Sequence, residues 1–141
     1  MRACSCLLVL GVVLAFGCGG LKTAQVSGTV KLDGKPLPNA SVTFQPVGEG
    51  NLNPGPGSYG VTNDKGEYTL AVNPQTSGAV LGKHRVEITA RIDDGQDNNP
   101  NEDRRTKARD RLPAQYNIRS TLTYEVKSGP NTADWDLKSK P

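Results

Sequence analysis

Apolar and polar residues alternate along seven short stretches of this chain. The clearest stretch is residues 83–92, whose apolar side carries His84, Val86, Ile88, Ala90 and Ile92. Successive side chains of a β-strand point to opposite faces of a sheet, so this alternation predicts half-buried strands. The seven predicted strands are residues 25–32, 40–46, 59–62, 67–72, 83–92, 121–127 and 133–137. Half-buried strands throughout predict an all-β fold, a seven-stranded antiparallel β-sandwich.

Glycine and proline mark the ends of these strands. The chain holds 16 Gly and 10 Pro, which suits many short strands joined by turns. Residues 63–66, Asn-Asp-Lys-Gly, predict a hairpin turn with Gly66 in the left-handed conformation. Gly28 is expected to permit a close approach between sheets, and Trp135 in the last strand is expected to lie in the core.

Residues 93–111 break the alternation and predict a polar insert before the last two strands. The segment opens with Asp93, Asp94 and Asp97 among asparagines, and ends with a basic run that starts at Arg104. Its low hydrophobicity predicts a mobile surface insert, and its acidic-then-basic order favours a helix of one or two turns before Pro113. The basic run either touches lipid headgroups or an acidic polymer, or forms a solvated face.

The N-terminus has the pattern of an export signal. Arg2 precedes ten apolar residues, 7–16, which are too few to span a membrane, and small residues follow. Gly17-Cys18 resembles the lipobox of bacterial lipoproteins, in which the cysteine is acylated and becomes the first residue of the mature chain. The alternative is an ordinary secretory signal with a chance cysteine. The predicted organisation is a signal peptide at residues 1–17, a lipidated tether at 18–24 and a β-domain at 25–139.

Two motifs of the predicted domain resemble a known family. Residues 26–44 contain Val-Ser-Gly-Thr-Val and then Asp-Gly-Lys-Pro-Leu-Pro-Asn-Ala-Ser-Val, and residues 62–68 read Thr-Asn-Asp-Lys-Gly-Glu-Tyr. Both are similar to the carboxypeptidase regulatory-like domain. Residues 112–117, 120–123 and 135–137 are similar to planctomycete-type lipoproteins that carry this domain. The resemblance implies a prealbumin-like, transthyretin-related or Ig-like sandwich and no particular activity. Transthyretin-like hydrolases use several histidines, whereas this chain has one.

Composition adds little chemistry to this picture. The formal charge is +3, and removal of Arg2 with the signal leaves +2, which gives no argument for nucleic acid. His84 is the sole histidine and is expected to be buried with one hydrogen bond, and no catalytic site, metal site or cofactor is predicted. Asp93, Asp94 and Asp97 do not follow the spacing of a calcium loop.

The resulting expectation is a non-catalytic module in the bacterial cell envelope, which binds a protein or a carbohydrate or has a structural role as a spacer in a complex. The membrane is its partner through a lipid anchor at Cys18, together with an envelope protein or polysaccharide, and Gly19 and Gly20 favour delivery to the outer membrane. The alternative is a small envelope enzyme whose site is built from loops. A cluster of acidic and basic side chains would favour the enzyme, and an exposed apolar or aromatic patch would favour the binding module.

Overall fold

The computed structural model describes residues 20–50, 53–90 and 111–140. The predicted signal peptide, Cys18 and residues 93–110 of the predicted insert lie outside the described residues. In the described part of the chain there are thirteen strand segments and one short 3-10 helix, Ala114–Tyr116. The strands are β1 (Thr23–Ala24), β2 (Val26–Leu32), β3 (Lys35–Pro36), β4 (Ser41–Pro46), β5 (Ser58–Val61), β6 (Glu67–Thr69), β7 (Ala71–Asn73), β8 (Thr76–Ser77), β9 (Ala79–Val80), β10 (Gly82–Thr89), β11 (Thr123–Val126), β12 (Asn131–Thr132) and β13 (Trp135–Leu137).

The larger sheet has six strands in the order β11-β10-β4-β5-β7-β8, and all its pairs are antiparallel. Its central ladder pairs Val86 of β10 with Phe44 of β4 and Ile88 with Val42. These four side chains are fully buried. The alternation seen in the sequence therefore corresponds to one buried face and one solvent-facing face of this sheet.

The second sheet is built around β2. On one edge the carbonyls of Val26 and Val30 accept hydrogen bonds from the N–H groups of Leu70 and Leu37. On the other edge the carbonyls of Gln25 and Ser27 accept from the C-terminal segment. β3 and β6 pair with β2 antiparallel, whereas β12 and β13 pair with it in parallel. The prediction of a purely antiparallel sandwich is therefore wrong for the last strands.

The structure is an all-β, sandwich-like fold, but the predicted count of seven strands is not reproduced. The predicted strand at residues 67–72 is two strands, because the chain leaves the second sheet after β6 and joins the first as β7. Leu70, between the two, is fully buried. A third, two-stranded sheet pairs β1 with β9, so Thr23 and Ala24 of the predicted tether are part of the folded domain.

The buried faces of both main sheets supply one core. Its largest fully buried side chains include Phe44, Leu70, Ile88 and Leu137. Trp135 is half-buried and packs against this core, so it is less enclosed than the sequence predicts. Within the described ranges no helix has the length and hydrophobicity needed to cross a membrane.

Candidate functional site

Cys18, the one site residue that the sequence predicts, lies just before the described chain. The first described residue is Gly20, and the first paired residue is Thr23 in β1. The carbonyl of Lys22 accepts a hydrogen bond from the N–H of Leu81 at 3.2 Å, so regular contacts with the domain begin four residues after Cys18. A lipid on Cys18 would therefore hold the domain against the bilayer surface.

His84 is fully buried on the inner face of β10, as the sequence predicts. Its Nδ1 lies 3.0 Å from the carbonyl oxygen of Gly82, which fixes the proton on Nδ1. Its Nε2 has no hydrogen-bond partner among the described residues. The ring packs beside Phe44, with 5.7 Å between ring centroids. Burial lowers the pKa of His84, and the Gly82 carbonyl opposes this only in part, so the imidazole is neutral at pH 7.

A second buried group, Tyr68 of β6, connects β6 to the C-terminal segment. Its hydroxyl donates to the carbonyl of Ala133 at 2.6 Å and accepts from the indole N–H of Trp135 at 3.0 Å. Burial raises the pKa of Tyr68, so the phenol stays protonated and remains a donor. Both hydrogen bonds of this hydroxyl are therefore used to hold the fold.

Carboxylate and amide side chains in the turns are used in the same way. Asn63 Oδ1 accepts from the N–H groups of Lys65 and Glu67, which orders the predicted hairpin turn, and Gly66 takes φ 75° as predicted. Asp134 accepts from the N–H and hydroxyl of Thr29. Hydrogen bonds from Ser139 lower the pKa of the Asp33 carboxyl. Across residues 20–50, 53–90 and 111–140, no three His, Cys, Asp or Glu side chains come together as a metal site could require.

The outward face of the larger sheet carries an exposed aromatic and aliphatic pair. Tyr59 and Val61 of β5 are 56% and 59% exposed, and they lie on the same face, two residues apart. The neighbouring outward positions on β4 are Thr43, opposite Tyr59, and Ser41, opposite Val61. The result is a surface of one ring and one branched aliphatic chain bordered by hydroxyl groups.

The alternation in the sequence predicts the strand that holds Tyr59 and Val61, but it does not predict that these two side chains face outward. In Ser58-Tyr59-Gly60-Val61 the alternation favours the large residues as the buried set. The structure buries the small ones, because a Cβ at Gly60 would lie 2.4 Å from the carbonyl oxygen of Thr69. Close contact with the neighbouring chain therefore requires glycine inward and leaves Tyr59 and Val61 in solvent.

Asp93, Asp94, Asp97 and the run that starts at Arg104 lie outside the described residues. Their attachment points are described: the N–H of Arg111 donates to the carbonyl of Ala90 at 2.8 Å. The predicted insert therefore leaves and re-enters the fold at one place, directly after β10.

Comparison with known proteins finds a similar solved structure but no matching family model. No family model matches the chain, and no curated protein matches it. It is similar to the crystal structure of a DUF3823 family protein from Parabacteroides merdae, with 13% sequence identity and a TM-score of 0.44. The similarity covers 84% of this chain and 47% of that one, so the chain spans about half the length of that protein.

Proposed function

We propose that this chain is a non-catalytic module of the bacterial cell envelope, anchored by a lipid on Cys18. The module is a β-sandwich of the carboxypeptidase regulatory-like type, delivered to the outer membrane. It binds an envelope protein or a polysaccharide through the surface formed by Tyr59 and Val61. This proposal follows the resemblance of residues 26–44 and 62–68 to that family, and the signal-like N-terminus.

The observation that carries the anchor is Gly17-Cys18 placed directly after ten apolar residues. Two acyl chains on one cysteine give stable attachment, whereas a single chain gives marginal binding. The structure supports the same view, since strand pairing begins at Thr23 and only a few residues separate Cys18 from the folded domain. Such a short connection suits a protein that works at the membrane surface.

The exposed pair of Tyr59 and Val61 supports the binding role over the alternative of a loop-built enzyme. Tyrosine exposes a large ring at low cost in conformational entropy, which makes it a common contact residue at interfaces. The buried titratable groups of the described chain, His84 and Tyr68, are instead hydrogen-bonded to main-chain carbonyls. Their shifted pKa values follow from burial in the core.

One set of cells tests both parts of the proposal. Cells are fed a fatty-acid analogue, and Cys18→Ser should remove the label, whereas Cys6→Ser, a cysteine before the cleavage site, should keep it. In cross-linked envelope membranes, the double variant Tyr59→Ser/Val61→Thr should remain labelled and lose its cross-linked partner. A labelled Cys18→Ser protein would contradict the anchor, and unchanged cross-links in the double variant would contradict the binding surface.

A further inference from the structure

We infer that one end of the sandwich, formed by Leu21, Val47, Val80, Lys22 and Lys83, lies on the phospholipid surface and fixes how the domain stands on the membrane. We call this the anchor end. The inference rests on the proposed lipid anchor, and it adds a second, non-covalent contact between the folded domain and the bilayer.

The members of the anchor end are brought together by main-chain hydrogen bonds. The N–H of Leu81 donates to the carbonyl of Lys22, and the N–H of Val47 donates to the carbonyl of Lys83 at 2.9 Å. Leu81 and Lys83 are two residues apart, so their Cα atoms are separated by at most about 7 Å. Lys22 and Val47 are therefore both bonded to the short segment 81–83, although they are distant in sequence.

The apolar members of the anchor end are exposed. Leu21 and Val47 are each 48% exposed, and Val80 is partly exposed. Leu21 Cδ1 and Val80 Cγ2 lie 3.7 Å and 3.4 Å from the position that a Cβ on Gly55 would occupy, so the two side chains are neighbours. Three aliphatic side chains thus share a single end of the molecule.

The position of Cys18 identifies the lipid surface as the occupant. Three peptide units separate Cys18 from Leu21, so an acylated cysteine lies within about 11 Å of Leu21 even when the chain is fully extended. An acylated Cys18 would thus keep the lipid close enough for Leu21 and its neighbours to rest on the headgroups. No protein partner has to be assumed to cover them, because the anchor itself brings the bilayer to this end.

Charge at the anchor end is compatible with an anionic lipid surface. Three lysines are exposed there: Lys22, Lys83 and Lys127. Two exposed glutamates offset part of their charge: Glu125 of β11, which pairs with Lys83, and Glu49. The sum of these five side chains is +1. Cations near anionic headgroups add to apolar contact, as at other membrane surfaces. The contact is therefore mainly apolar with a small favourable charge.

Val61 offers a matched control for Val47 on the same domain. Both are exposed valines, but Val61 pairs with Ser41, which pairs with Thr89 at the far end of β10. Thr89 is six positions after Lys83, so Val61 lies about 20 Å further along the strands than Val47. A probe at each position can therefore distinguish the two ends of the domain.

The test uses full chains processed in a bacterial host and reconstituted into vesicles of phosphatidylethanolamine and phosphatidylglycerol that contain brominated phospholipid. Bromine quenches tryptophan fluorescence at short range, and the wild type supplies the background from Trp135. We expect the added fluorescence of Val47→Trp to be quenched at least twofold more strongly than that of Val61→Trp. Equal quenching at both positions overturns the inference, including the case in which a second copy or a protein partner covers the anchor end.

Flotation of the same vesicles separates this inference from the lipid anchor. If flotation requires Cys18 but the two positions are quenched equally, the lipid anchor stands and the proposed orientation is overturned. If Cys18→Ser chains also float and position 47 is quenched more strongly than position 61, the orientation is supported and the acyl anchor is overturned. Chains recovered only in the aqueous fraction overturn both.

Discussion

At the scale of single residues, close backbone approach explains several positions that alternation alone cannot assign. A Cβ at Gly28 would lie 1.8 Å from the carbonyl oxygen of Ala133, so any side chain there would force the C-terminal segment away from β2. The sequence predicts a close approach at Gly28 between the two sheets. The structure shows the approach, but its partner is the chain between β12 and β13, which pairs with β2 in the same sheet.

His84 gives a pH-dependent prediction at this scale. Its folded pKa is lowered, so below the ordinary value of 6.5 the unfolded chain binds a proton that the folded chain does not. Stability from neutral His84 is therefore complete above that value and is lost as the pH falls below it. The free energy of unfolding of the wild type should fall from pH 7.5 to pH 5, with a slope of at most about 1.4 kcal/mol per pH unit from this group.

The control for His84 is His84→Leu, measured by urea denaturation over the same pH range. The variant lacks the titrating group but keeps a buried apolar side chain, so its stability should depend less on pH. Asp33 titrates in both proteins and, with a lowered pKa, does so at more acidic pH. Parallel pH profiles for wild type and variant would show that His84 accepts a proton equally well in the folded and unfolded chains.

At the scale of elements, the C-terminal strands depend on side chains from other strands. β12 and β13 have two and three residues, and they pair with β2 in parallel. Tyr68 on the opposite edge of β2 reaches over Gly28, its pairing partner, to the Ala133 carbonyl and to Trp135. The tyrosine hydroxyl therefore joins the two edges of this sheet.

Removing that hydroxyl should measure the strength of the connection. Tyr68→Phe leaves the Ala133 carbonyl and the Trp135 indole N–H without this partner in a largely buried place, which costs about 1–3 kcal/mol. Thermal or urea unfolding should show that loss, whereas Tyr59→Phe, which removes an exposed hydroxyl from β5, should change stability by less than about 0.5 kcal/mol. Equal effects of the two substitutions would contradict a specific role for the Tyr68 hydroxyl.

The sequence predicts the long strands well and the short ones poorly, for a physical reason. β2, β4 and β10 have six to eight residues, enough for a clear alternation. The bounds of β2 and β4 differ by one residue from the predicted ones, whereas β10, predicted at residues 83–92, ends at Thr89. β1, β3, β8, β9 and β12 have two residues each, too few for any period. The parallel pairing of β13 with β2 joins residues about a hundred positions apart, so no local pattern could indicate it.

The residues of the candidate site also differ in how well the sequence predicts them. His84 is predicted correctly because its phase in a long strand is clear. Tyr59 and Val61 are not, because their exposure depends on the contact between Gly60 and Thr69. Cys18 and its acylation stay predictions, since they depend on processing enzymes and lipid, which no property of the folded domain encodes.

At the scale of the whole molecule, the anchor end and the attachment of the predicted insert lie at opposite ends of β10. Gly82 begins this strand beside the anchor end, and Thr89 ends it next to Ala90, from which the insert leaves. If the anchor end faces the lipid, the insert is attached about 20 Å further from the bilayer. A contact between the basic run and lipid headgroups would then require the insert to extend back along the domain over this distance.

The insert also separates the chain into two parts that the sheets hold together. β1 to β10 precede it and β11 to β13 follow it, yet β11 pairs with β10, and β12 and β13 pair with β2. From its polar sequence we expect trypsin to cut first between Arg104 and Arg111. The two fragments should then co-elute in native buffer and separate in denaturant, because the pairing surfaces remain and Arg111 is bonded to Ala90.

In membranes this cleavage has a sharper consequence. The C-terminal fragment lacks Cys18, but strand pairing should keep it in the membrane fraction after washing with salt at neutral pH. Glutamine in place of Arg104, Arg105, Lys107 and Arg109 should abolish the early cut, which makes that variant the matched control. Release of the C-terminal fragment into the soluble fraction would mean that the parallel strands and the Tyr68 hydrogen bonds cannot hold it without the covalent connection. A first cut elsewhere would mean that the most accessible part of the chain lies outside the insert.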